Sequence, residues 1–287
     1  MGIPPPARAR LGGDRHEGAA SACPIRGRPA GRFWEGRILK TIIIVFARLQ
    51  AGFIAKPCQW TPRYGRCYAT AMPLDESAIA KLLKPFGLEL DPHQTGQVLA
   101  YVGLLLRWNR AVNLTAIRRP EEIVTRHFGE SMYLAKFVEV KGSLLDIGSG
   151  SGFPGLALKI AQPELRVVLL EPVARKRAFL KEVVRTCGLG PVEVLGDRIE
   201  EFSAGHPGEF DVATVRALGG LEDVLPAAWR CLAESGSIYL WLTGLAGRQL
   251  SGGFASFNSL FTQSKPIHVP MSRDREIWCG RKRSNVG

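Results

Sequence analysis

The chain has 287 residues, 46% of them hydrophobic, enough to bury a full core in one or two domains. Its formal charge is +12, but residues 1–71 hold twelve Lys/Arg against three acids and so carry +9 of it. Residues 72–287 carry only the other +3, so net charge alone argues weakly for a nucleic-acid partner. The six cysteines (Cys23, Cys58, Cys67, Cys187, Cys231, Cys279) form no CxxC pair and have no histidine at zinc spacing. They point to a reduced, cytoplasmic protein with neither structural disulfides nor metal.

Residues 1–71 are rich in Pro, Gly and Arg and follow neither a strand nor a helix period. Their one apolar stretch, "ILKTIIIVFARLQAGFIA", is broken by Lys40 and Arg48. It makes a poor membrane span and starts too late for a secretory signal, so no membrane association is expected. An Arg-rich, acid-poor leader fits an organellar transit peptide. Sequence lying upstream of a true start at Met72 fits better, because composition becomes that of an ordinary globular protein from "MPLDESAIAKLL" onward. The expected organisation is a leader over 1–71, disordered or upstream of the start, a helical subdomain over 72–140 and a Rossmann-like domain over 141–287.

Asp75 caps a predicted helix through about Phe86, with Ile79, Leu82 and Leu83 on one face and Gly87 as its stop. Asp91 and Pro92 start a longer one, in which Val98, Leu99, Val102, Leu105, Leu106 and Trp108 recur at three and four. "NRAVNLT" ends it, and Pro120 opens a third, "PEEIVTRHFGESMYLAKFV". From Ser143 the pattern changes. "SLLDIG", "RVVLLE", "VEVLGD", "FDVATVRA" and "SIYLWLT" read as strands between "GLALKIAQ", "ARKRAFLKEVVRTCG", a short "RIEEF" turn and "LEDVLPAAWRCLAE". This alternation predicts an α/β fold with a mostly parallel sheet and helices on both faces. The segment "SLFTQSKPIHVPMSRDREIWCGRK" is expected to close it with a strand pair.

Between the first strand and its helix lies "LLDIGSGSGFPGLALKI", with Asp146, Gly148, Gly150, Gly152 and Gly155 in the turn. Open parallel sheets bind ligands beyond the carboxyl ends of their strands, and glycines let backbone approach a ligand closely. Gly150-x-Gly152-x-x-Gly155 formally matches a dinucleotide fingerprint with Glu171 about twenty residues on. The strand ends at Ile147, however, so the motif starts at Gly148. In that register it is Asp-x-Gly-x-Gly-x-Gly, which resembles the S-adenosylmethionine loop of Rossmann-like methyltransferases. Asp146 is placed for the ammonium end of that ligand, Glu171 for its ribose hydroxyls, and "GDRIEE" for its adenine.

Taken in order, "NLTAIRRPEEIVTRHFGESMYLA", the glycine turn, "GDRIEEF" and "FDVATVRAL" resemble the RsmG (GidB) family, bacterial methyltransferases acting on a guanine N7 of small-subunit (16S) ribosomal RNA. The resemblance covers roughly residues 75–243. It implies S-adenosylmethionine as cofactor, held by Gly148, Phe153, Ile199, Glu200 and Arg216, with Glu171 at the ribose. Arg126 and His127 match the family's Arg-His pair. His127 and Arg216 are the candidate catalytic residues, and His127 serves equally well as a packing residue. Arg118, Arg119 and Arg126 on one side and Arg175, Lys176 and Arg177 on the other are candidate RNA contacts, with free RNA or the assembled subunit as partner and a monomer as the working form.

The family usually has Lys-Gly after the fifth strand. Here Thr243-Gly244 stands there, followed by the glycine-rich "LAGRQLSGGFASFNSLF". A guanine N7 already carries a free lone pair, so alignment rather than a general base is the expected work of the protein. An NAD(P)-dependent oxidoreductase and a catalytically impaired RNA-binding relative are the alternatives.

Overall fold

The structure, a computed structural model, describes residues 74–138, 142–217, 219–243, 246 and 255–283. These belong to one compact unit. The expected leader and the start at Met72 lie outside the described residues.

Helix α1 (Glu76–Leu83) starts on Asp75, whose carboxylate accepts from Ala78 N–H at 2.7 Å. A 3-10 turn (Lys84–Phe86) follows and Gly87, at φ +61°, ends it. Helix α2 (Pro92–Trp108) opens with a reciprocal pair: Gln94 N–H donates to Asp91, and Asp91 N–H donates to the Gln94 side chain. The same glutamine amide reaches Ile160 O at 2.9 Å, and Gln97 reaches Cys187 O at 2.8 Å. Both bonds pin α2 to elements that flank the sheet.

The third predicted helix is one continuous run with changing pitch. Helix α3 (Pro120–Ile123) widens into a π-helical turn (Val124–Gly129), then passes through an α turn (Glu130–Met132) and a 3-10 turn (Tyr133–Lys136). Two local causes act together. The Thr125 hydroxyl donates back to Glu121 O, which bends helices. Gly129 lies against the Phe86 ring, where a Cβ would come within 2.5 Å of it.

The sheet order is β3-β2-β1-β4-β5-β8-β6, with β7 paired to β8. The parallel part is β1 (Ser143–Ile147), β2 (Arg166–Leu170), β3 (Val192–Leu195), β4 (Phe210–Arg216) and β5 (Leu232–Thr243). Strand β8 (Arg275–Lys282) runs antiparallel beside β5 and carries both β6 (Phe261–Gln263) and β7 (Ile267–His268). The expected closing pair is thus three strands, with "REIWCGRK" between β5 and the two short ones. Strand β5 also begins five residues before "SIYLWLT".

Helices cover both faces, as the alternation predicts. Helices α1 and α2, the run from Pro120, α4 (Gly155–Ala161) and α5 (Ala174–Thr186) share one core with one face of the sheet. Helices α6 (Ile199–Gly205), α7 (Leu221–Cys231) and α8 (Ala255–Leu260) pack on the other. The "RIEEF" turn is therefore the start of a helix, because Ile199 and Phe202 recur at helical spacing and both are buried. Helix α8 forms within the glycine-rich segment; Gly244, Leu245 and residues 247–254 lie outside the described residues.

Gly152 sits at φ +85°, and a Cβ there would collide with the Tyr101 hydroxyl and come within 2.8 Å of Leu156. Gly188 is at φ +62° with nothing within 4 Å. Gly188→Ala therefore carries a backbone cost alone, about 1–2 kcal/mol. Gly152→Ala adds overpacking of about 1–3 kcal/mol. Urea unfolding of both variants checks this, and equal losses would contradict the close approach.

Candidate functional site

The strand order reverses between β1 and β4, which places the crevice beyond their carboxyl ends. The glycine turn forms its floor, with Gly148, Gly150 and Gly152 all at positive φ. It is tied down at several points. Ser149 N–H donates to Leu170 O at 3.0 Å, the Ser149 hydroxyl donates to Asp146 O at 2.9 Å, and the Tyr101 hydroxyl donates to Ser151 O at 2.5 Å.

Asp146 does not face the crevice. Its carboxylate is buried beneath the turn, accepting from the Thr214 hydroxyl at 2.7 Å and from Gly155 N–H at 3.3 Å. Burial pushes it up to about 6 even though those hydrogen bonds favour the charged form. The expectation that Asp146 meets a ligand ammonium is therefore corrected: side chains alternate across a strand, and this one points into the sheet-to-α4 packing. Gly152 is likewise turned inward onto Tyr101 rather than toward a ligand.

Phe153 is the middle of an aromatic stack. Tyr101 lies 5.2 Å away on one side and His127 4.8 Å away on the other, both nearly parallel, with Phe128 edge-on. His127 Nε2 is 2.8 Å from the Thr115 hydroxyl, and its Nδ1 is buried with no partner among the described residues. Burial, then Arg216, Arg126 and Arg275, lower His127 to about 3, so it is neutral near pH 7. Its visible work is to join the "NLT" loop to the glycine turn.

Two cavities meet over this floor. One, about 410 Å³, is lined by Thr115, His127, Gly148, Gly150, Phe153, Glu171, Lys176 and Arg216 among others. The second, about 220 Å³, is lined by Gly148, Pro172, Asp197, Arg198, Ile199, Glu200 and Asp223 among others. Gly148 and Pro172 belong to both. The buried Glu171 lines the first cavity, next in sequence to the shared Pro172. One oxygen accepts from Gly150 N–H and the other from Val173 N–H, each at 2.8 Å. A carboxylate has about four acceptor positions, so two remain.

Arg216 borders the first cavity but is pinned by the helical run. It meets Glu130 at 3.1 Å, Ser131 Oγ at 3.0 Å and Arg126 O at 2.7 Å. Glu130 is buried and also holds Arg275 at 2.8 Å. Burial raises Glu130, opposed by Arg216, Arg275 and Arg126. This knot was not visible in the sequence, where its acid and its second arginine stand 145 positions apart.

Among the candidate RNA contacts, Arg118, Arg126 and Arg175 are exposed and Lys176 lines the first cavity. Arg119 is exposed beside Glu121 and Glu122. Arg177 is a correction. Its guanidinium donates to Glu171 O at 2.9 Å and Pro172 O at 2.6 Å and packs over Gly196, so it caps the end of β2.

A dinucleotide would need the first amides of α4 for its pyrophosphate. Those donors are taken: Gly155 N–H points at the Asp146 carboxylate, Leu156 N–H at Gly152 O, and Pro154 has none. A buried acid under the turn opposes an anion there. A phosphate-free nucleoside fits instead, with acceptor capacity at Glu171 for ribose hydroxyls and a separate cavity at Ile199 and Glu200 for a base. Sheet order, turn and Glu171 together define a Rossmann-like, S-adenosylmethionine-dependent methyltransferase.

The chain matches the model of the GidB family, rRNA small subunit methyltransferase G, over residues 94–267, and it belongs to that family. It is 40% identical over 164 residues to the ribosomal RNA small subunit methyltransferase G of Ectopseudomonas mendocina, covering 56% of this chain and 75% of the relative. The Shigella flexneri relative of the same name is 35% identical over 56% of this chain and 76% of its own. That of Pseudomonas aeruginosa is 40% identical over 50% and 67%.

Because His127 is neutral when folded and ionises near 6.5 when unfolded, it contributes stability above about pH 6.5 that is lost as pH falls toward 3. His127→Gln is expected to flatten this acid-side loss. Unfolding of both proteins between pH 4 and 8 checks it; parallel curves would place the ring in contact with solvent.

Proposed function

We propose that the chain transfers a methyl group from S-adenosylmethionine to guanine N7 in small-subunit (16S) ribosomal RNA. The observation that carries this reading is Glu171, buried in the wall of the 410 Å³ cavity with acceptor positions left over, beside a helix start closed to phosphate. The same closure counts against the oxidoreductase alternative.

When bound, S-adenosylmethionine supplies an activated methyl on a sulfonium. Glu171 accepts from the ribose hydroxyls, and Ile199, Glu200 and Asp197 border the adenine. Gly148 lets the backbone approach, while Gly150, where a Cβ would meet nothing closer than 3.8 Å, opens onto the same cavity. Phe153, held in its stack, gives the turn one fixed shape. Arg216 stands at the far wall as a cation for the cofactor carboxylate. No proton need leave the guanine before N7 attacks, so a neutral, tied His127 is compatible with the reaction. The protein's contribution is alignment and exclusion of water.

Arg118, Arg126, Arg175 and Lys176 meet RNA phosphate in this reading. The enzyme works as a monomer in the cytoplasm, on free RNA or the assembled subunit. Among the described residues no helix is long and apolar enough to cross a membrane.

Mass spectrometry of nucleosides from small-subunit RNA treated with the full chain and S-adenosylmethionine is expected to show 7-methylguanosine, with no turnover of NADH. Substituting Arg118 or Arg175 is expected to weaken RNA binding and lower its salt slope by about 1 per residue, with cofactor affinity unchanged. Cofactor binding without methyl transfer would support the impaired relative instead.

A further inference from the structure

We infer that a third cavity, at the ends of β4, β5 and β8, is the seat of the methyl-accepting guanine, and that Arg275 reads its O6. This rests on the methyltransferase reading above and names its acceptor subsite. The cavity measures about 360 Å³, within the ~300–1,000 Å³ of small-ligand sites. Its walls include Val215, Leu221, Trp241 and Leu242, with Thr243 and Arg275. It shares Arg216 and Ala217 with the 410 Å³ cavity, so an occupant adjoins the transferred methyl. Ala217 holds its backbone at φ +53°, a conformation a non-glycine residue adopts only under constraint, at the boundary of the two cavities.

An apolar wall with one aromatic side chain suits a base taken out of its stack, and a few convergent polar groups must then identify it. The polar groups here are the two guanidiniums on Glu130. Arg216 has three of its five N–H groups engaged, by Glu130, Ser131 and the Arg126 carbonyl. Arg275 lines the cavity and is held at one point by Glu130, which leaves more of its N–H groups free than Arg216 has. Strand register sets Arg275 directly opposite Thr243 at the mouth of the cavity. Spare donor capacity therefore sits on Arg275.

The chemistry selects O6. N7 must keep its lone pair free, because that pair forms the new N–C bond while the S–C pair returns to sulfur. Base identity is then left to O6 and the pairing edge. A guanidinium donor at O6 favours guanine and opposes adenine, which presents an amino donor at that position.

The test uses the full chain, small-subunit RNA and three proteins. Arg275→Met removes the donors at similar length, and Ala246→Phe adds a ring to the cavity lining while leaving Glu130, Arg216 and Arg275 themselves unchanged. Arg275→Met is expected to raise KM for RNA at least tenfold while S-adenosylhomocysteine affinity stays within twofold. Wild type is expected to lose at least tenfold in kcat/KM when the modified guanine is replaced by 2,6-diaminopurine, which keeps N7 and lacks O6. Arg275→Met should no longer make that distinction. Ala246→Phe should lose methylation and keep cofactor binding. A KM rise with discrimination intact would mark a phosphate contact and overturn the assignment, as would unchanged kinetics or a parallel loss of cofactor. RNA affinity is read separately with S-adenosylhomocysteine bound. Wild type that binds the guanine RNA at least tenfold tighter than the 2,6-diaminopurine RNA, a preference lost in Arg275→Met, yet transfers no methyl would refute the activity and uphold the pocket.

Discussion

The buried carboxylate of Asp146 is the constraint on which the cofactor half depends. It bonds the Thr214 hydroxyl of β4 and the first amide of α4 from its own place on β1, so three elements meet at one acid. Burying a charge is costly, and the push of Asp146 up to about 6 is the sign of that cost. Two hydrogen bonds and the field of Arg216 offset part of it. What the acid does there is exclusion: a helix start that would otherwise attract phosphate is already satisfied by a protein anion. The turn above is left with backbone, room and the carboxylate of Glu171, which are the requirements of a nucleoside without phosphate.

A second buried acid does comparable work at the other end of the crevice. Glu130 lies on the helical run, Arg216 on β4 and Arg275 on β8, and Trp241 Nε1 on β5 donates to the Glu130 carbonyl at 3.0 Å. The helical part is thereby fastened to the sheet by polar contacts at the crevice as well as by the shared apolar core beneath. The aromatic stack of Tyr101, Phe153 and His127 closes the same gap at the glycine turn. Removing one partner of such a knot leaves a buried charge, typically a loss of about 3–5 kcal/mol, so these residues are under structural constraint whether or not they touch a ligand.

The local features of the fold were legible in the chain. Caps at Asp75 and Asp91, the strand-helix alternation after Ser143, and the register of the glycine turn all arise from neighbours within a few residues. Long-range pairing was not. The extra strand at Ile267 depends on β8, and the early start of β5 at Leu232 depends on β4 and β8 as partners. The direction in which Asp146 points, the capping role of Arg177 and the Glu130 knot are set by side-chain packing that motif spacing does not encode. Glu171, Gly148, Ile199 and Glu200 could be singled out because a strand end and a helix start are local signals, and the structure brings all four to the two adjoining cavities.

The measurement that bears most directly on this account is calorimetric titration of S-adenosylhomocysteine into the full chain and into Glu171→Ala. The account predicts micromolar binding by wild type, no heat with NADH, and at least a hundredfold loss of affinity in a Glu171→Ala protein that stays folded. Equal affinity in both proteins, or NADH binding in place of S-adenosylhomocysteine, would contradict it.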